Sequence, residues 1–233
     1  MTGVDAVATQ RPTRPAGEAR RRTGLRLAGW AGIAGPAVFT LTFLVLELVR
    51  RDDFDPVRLP VSALEAGRHG WVQQVSFVVF GVLTIVFAAG LHRGLRPSRW
   101  GSAGPALLAF SGVGLLAAAA FPLALDGAGE VYDPGGHVVA GSVFFLSSAL
   151  ALVVLSRRVA ADPAWSRLAG WTLAAGLACL VGLVVMGRFV FPDDAPLHDW
   201  AGLGQRAIIL LALFPARIGL AIRLVTTGRA RVD

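Results

Sequence analysis

The 233-residue chain contains no lysine and no asparagine, and it has a single cysteine. Without lysine there is no Schiff-base amine and no phosphate-loop lysine, and without asparagine there is no N-linked glycan. Cys179 lies alone in an apolar run, which excludes an intramolecular disulfide. Charge is scarce too, at 16% of residues, and all 22 basic residues are arginine. What fills the chain instead is apolar: 55% of residues are hydrophobic and the mean hydropathy is +0.62. A soluble domain of this length cannot bury that much apolar surface, so the composition points to a membrane protein.

Five runs without acid, lysine or arginine stand out: Leu27–Leu46, Trp71–Leu91, Trp100–Leu125, Gly135–Ser156 and Leu168–Gly187. A bilayer core needs about 20 helical residues, so each run is long enough to span. A sixth run, Ala207–Val225, is broken by Pro215, Arg217 and Arg223, and the arginine distribution argues for keeping it as a span. With six spans, the two terminal segments and the connections on their side, counting Arg223 near the end of the sixth run with them, carry 15 arginines and 4 acids. The opposite three connections carry 6 arginines and 11 acids. Short arginine-rich segments stay in the cytoplasm, so both termini are expected inside and three acidic loops outside. The pI near 11.4 is then an average over two unlike faces and no sign of nucleic-acid binding.

Residues 1–26 carry six arginines without apolar periodicity and are expected to form a disordered cytoplasmic tail. Arg20–Arg22 before an apolar run also fit a twin-arginine signal. That run is longer than a signal core and lacks a small-x-small cleavage site, which favours an uncleaved first span. The membrane domain is expected over 27–225, with a short cytoplasmic tail over 226–233. Trp30, Trp100 and Trp171 recur at intervals of about 70 residues, as do Phe121-Pro122 and Phe191-Pro192. That spacing predicts an all-α, six-helix transmembrane bundle made of three pseudo-repeated helical hairpins.

Polar chemistry concentrates in the outer loops. Each loop supplies one histidine, His69, His137 or His198, and each supplies acids. Converging loops would offer three imidazoles to a zinc ion, although no pair has the spacing of a metal motif. Glu47 at the end of the first span and Arg206 at the start of the sixth are expected to pair if the bundle closes. Arg217 falls deep within the sixth span and must face the interior or reach back towards Arg223. Gln73, Ser76 and Thr84 share one face of the second span, and His137, Gly141 and Ser148 share one face of the fourth. Ser62 to Glu65 has the S-x-x-E form of a capping box, which predicts a short surface helix before Trp71.

The stretch DPVRLPVSALEAGRHGWVQQVSFVVFGVLTIVFAAGLHRGL resembles the bacterial membrane family catalogued as domain of unknown function 998. The likeness rests on Asp55-Pro56, Ser62 with Leu64, Gly70-Trp71 and Gly90-Leu91 to Arg93. It is supported by Phe121-Pro122 with Asp126 and His137, and by Gly202-Leu203 to Arg206. The chain departs from that pattern at Ala63 and Gln205, where acids are expected, which argues against acid-dependent chemistry there. The resemblance implies a six-helix fold in a bacterial plasma membrane and assigns no reaction.

The expected function is non-enzymatic: binding of a lipid or small amphiphile in a polar pocket at the outer end of the bundle. Asp55, Arg58, Ser62, His137, Arg188 and Arg206 are the expected ligand-binding residues, with Glu47 and Arg217 as intramembrane charges. The first alternative is a metal-assisted hydrolase of lipid head groups using zinc on His69, His137 and His198. The second is a small-molecule transporter.

Overall fold

The structure is a computed structural model that describes residues 16–97, 101–192 and 194–228. Its helices are α1 (Ala16–Val49), α2 (Gly70–Gly94), α3 (Ala103–Ala120), α4 (His137–Ala161), α5 (Ala169–Phe189), α6 (Ala201–Ala207) and α7 (Phe214–Thr227). A π-helical segment, Ile208–Leu213, joins α6 to α7, and the three make one continuous sixth span. Six helices are therefore long and apolar enough to cross a membrane. A two-residue hairpin, β1 (Ala124–Leu125) against β2 (Val131–Tyr132), lies between α3 and α4.

The sixth span survives its interruptions for local reasons. Pro215 has no N–H and crowds the preceding turn, and the chain answers with the wider π-helical winding just before it. Arg217 turns inward, where it is 1% exposed. By contrast, the third helix stops at Ala120, short of the expected Leu125. Pro122 disfavours helix at the residue before it, and Phe121 adopts φ −120°, ψ 69°. Helix α1 begins at Ala16, so residues 16–26 are helical where a tail was expected. Four arginines and Glu18, all good helix formers, and an Arg22–Glu18 ion pair one turn apart support that start. Residues 1–15 and 229–233 of the expected tails lie outside the described residues, as do Trp100 of the spaced tryptophans and Asp193.

Consecutive spans pack side by side, and α7 returns to α1, which closes the ring. Between lipid-soluble helices the hydrophobic effect gives little drive, so close backbone approach matters. At the α2–α3 seam, a Cβ built on Gly81 would stand 2.8 Å from the Gly112 carbonyl oxygen, and one on Gly112 2.7 Å from that of Gly81. Only glycine at both positions permits this approach. The centre of the ring is aromatic: Phe80 lies 5.1 Å from Phe39, 5.4 Å from Phe214 and 5.9 Å from Phe144, ring centre to ring centre. Outward positions such as Leu41, Val184 and Leu211 are exposed, as lipid-facing side chains would be.

One end of the ring carries α1–α2, α3–α4 and α5–α6 connections; it holds most of the acids and is called the acidic end below. The other, arginine-rich end is tied by Arg158. Its guanidinium donates to the carbonyls of His92, Leu95, Arg96 and Gly101, holding the α2–α3 connection against α4.

Candidate functional site: a cavity at the acidic end

The α1–α2 connection folds down over the bundle because the sixth span receives it. The N–H groups of Gly202 and Leu203 donate to the carbonyls of Arg58 and Val57, at 3.1 and 3.0 Å. A Cβ on Gly202 would strike the Pro56 and Leu59 carbonyls, so the contact depends on glycine. The Val61 N–H donates to the side-chain oxygen of Gln205, at 2.8 Å. Arg206 donates to Glu47 from Nε at 3.0 Å and from Nη2 at 2.5 Å, and to the Leu59 carbonyl at 3.0 Å. Glu47 and Arg206 thus meet across the closed ring.

The segment Val61–Glu65 winds as a 3-10 turn without the expected capping box. Pro60 occupies the N-cap, so Ser62 lies inside the turn and not at the position from which a capping box is made. Glu65 instead points into the bundle with a fully buried side chain, 3.0 Å from Nδ1 of His137. Burial pushes the Glu65 carboxyl above its ordinary range, and the bond to His137 partly offsets this. His137 Nδ1 also stands 3.0 Å from the Phe121 carbonyl, which can only accept, so Nδ1 carries the hydrogen. Asp133 caps α4 by accepting from the N–H groups of Gly135, His137 and Val138. The Val138 bond leads in holding its carboxyl below the ordinary range.

Beneath this cover is a cavity of about 770 Å³. Its floor is apolar, formed by Phe39, Phe77, Leu115 and Phe144. Its mouth is polar, with Ser62, Glu130, Asp133, His137, His198 and Gln205. Val138 lines it and is still 64% exposed, and a side chain built on lining Gly141 would meet nothing within 4 Å. The cavity therefore also opens sideways along α4.

Of the six residues expected to bind ligand, Arg58, Ser62 and His137 line this cavity. Asp55 lines a neighbouring charged groove of about 680 Å³ instead. Arg188 is exposed, with its guanidinium over the Phe189 ring, and Arg206 is occupied by Glu47. Gln205 was missed as part of the site and stood out only as a departure from a family pattern. Glu65 was read as a local cap or as one of a ledge with Asp55, Arg58 and Ser62; it instead pairs with His137 behind the lining.

His137 and His198 both line the cavity, whereas His69 is exposed at the N-terminus of α2 with φ 62°. Among the described residues, no group of three His, Cys, Asp or Glu side chains is arranged to hold a metal ion. Arg217 lies apart from the cavity lining. It donates to Thr84 Oγ1 at 2.7 Å, rests 4.9 Å from the centre of the Phe80 ring, and has no partner for Nε or Nη1 among the described residues. Gln73, Ser76 and Ser148 are buried, as the shared helix faces suggested, and their side chains also lack partners there.

A closed ring of six apolar helices with polar connections gathered at one end defines a multi-pass helical membrane protein. The chain belongs to the family described as "Protein of unknown function (DUF998)", which it matches over residues 13–218. No curated protein and no solved structure matches it.

Proposed function

We propose that this membrane protein binds a lipid or small amphiphile, with the apolar part in the cavity and the polar part at its mouth. The observation that supports this reading is the cavity itself, which combines an aromatic floor with a few polar groups converging from three connections. Ligand sites of about 300–1,000 Å³ commonly have that make-up. The sideways opening along α4 offers an acyl chain a route from the bilayer. Arg58, Ser62 and His137 take the polar end, joined by His198 and Gln205. The arginine asymmetry orients the acidic end outward and both termini to the cytoplasm of a bacterial cell, so the ligand enters from the outer leaflet of the plasma membrane.

The test is photolabelling in membranes with an amphiphile that carries a diazirine near the end of its alkyl chain. Peptide mapping is expected to find label concentrated on Val138–Phe145 and near Leu183, and Gly141→Leu is expected to remove most of it. Label spread evenly over the lipid-facing helices, and unchanged by Gly141→Leu, would overturn the proposal.

A further inference from the structure

Arg217 is the charge that the cavity leaves unexplained. It reaches the middle of the bundle. Thr84, which accepts from its Nη2 at 2.7 Å, lies about 21 Å from the start of α2 at Gly70 and about 15 Å from its end at Gly94, at about 1.5 Å per residue. The side chain is among the largest that are fully buried. A guanidinium keeps its proton and carries five N–H hydrogens. Only Nη2 is bonded, which leaves the N–H of Nε and both of Nη1 without an acceptor among the described residues. Every described acid stands in a connection or at a span end, and none pairs with Arg217. Phe80 covers one face of the group at 4.9 Å, which offsets only part of the charge. Unmatched charge at this depth is costly, and such groups pair or face a polar site.

A second unused donor comes from the opposite side of the ring. Ser148 is 0% exposed, and its hydroxyl has no partner among the described residues. Ser111, Ser142, Ser156 and Thr172 each donate to a carbonyl of their own helix, as helical hydroxyls commonly do, and Ser148 does not. Helices α2 and α4 both run from the acidic end, and the Phe80 and Phe144 rings meet between them at 5.9 Å. Thr84 and Ser148 each follow by four residues, so both lie one turn beyond that contact on the inward faces. Arg217 and Ser148 thus bring their unused donors to one layer, just beyond the aromatic centre.

Unused N–H and O–H donors beside a fixed positive charge specify an anion. Water would accept the hydrogen bonds and leave the charge unmatched. The rings of Phe39, Phe80 and Phe214 stand 5.1, 5.4 and 6.1 Å from one another, which favours a single-atom anion over a phosphate or carboxylate head group. We infer that Arg217 and Ser148 hold a chloride ion at mid-depth in the bundle, with Thr84 fixing the guanidinium. The site is separate from the cavity, whose lining includes none of these three residues, so its failure leaves amphiphile binding untouched.

The test is thermal unfolding of the purified full chain in a neutral maltoside detergent, with chloride or bromide replacing gluconate at constant ionic strength. The melting temperature is expected to rise with either halide and to saturate. Arg217→Met, which removes the buried charge and its need of a partner, is expected to melt at one temperature in all three salts. Ser148→Ala is expected to keep the response and to raise its halide midpoint about ten-fold. Crystals grown in bromide are expected to show an anomalous peak between Arg217 and Ser148. Equal melting in halide and gluconate, a response that survives Arg217→Met, or water alone at the guanidinium in the bromide crystals would overturn the inference. Should Arg217→Met fail to fold, Ser148→Ala carries the same test, and a midpoint left unchanged there would overturn it.

Discussion

Glu47 and Arg206 are 159 positions apart and form a largely buried pair that joins the first span to the sixth. Removing one member leaves the other charge without its partner, which is costlier than removing both. Arg206→Ala is expected to lower stability by about 3 kcal/mol, and Glu47→Gln with Arg206→Met by clearly less. Thermal unfolding in detergent, run as a double-mutant cycle, checks this. Asp133 supplies a pH dependence of definite sign. Its carboxyl is held below the ordinary range in the folded chain, so its capping contribution is full above that range and is lost as the pH falls through the lowered folded value. Melting temperature against pH is expected to fall on the acid side, and Asp133→Ala is expected to flatten that fall. The pairing of Glu47 and Arg206 was legible because both charges stand at span ends. The partner of Glu65 was not, since S-x-x-E has a ready local explanation, and only the start of the turn at Val61, one residue early, removes it.

At the scale of elements, the apolar runs announced all six spans, and helix-stop chemistry trimmed them. Pro122 ended α3 early because its effect on the preceding residue outweighs the apolarity of Leu123–Leu125. Pro215 did not end the sixth span because a π-helical turn absorbs it, an outcome that no periodicity displays. The seams between spans depend on glycine unevenly. Gly112→Leu drives a side chain into the Gly81 backbone and is expected to cost about 1–3 kcal/mol. Gly219→Leu, where nothing lies within 4 Å, is expected to be nearly neutral by the same thermal measurement.

For the molecule as a whole, ring closure follows from α7 packing against α1, and the six-span pattern foreshadowed it. The cavity was only half legible. Its polar mouth is built from loop residues that stand out among apolar runs, so Arg58, Ser62 and His137 could be picked from sequence. Its apolar depth comes from a gap beside Gly141 and from the meeting of Phe39, Phe77 and Phe144 on three helices. Those distances belong to the packed ring and to no single segment.

The account stands on what occupies this space in a bilayer, and a density map of the protein in lipid nanodiscs tests it most directly. Elongated density is expected over Phe77 and Phe144, leaving along α4 past Gly141, with its polar end beside His137 and Arg58. A cavity closed by side chains, or one holding only isolated solvent peaks, would contradict it.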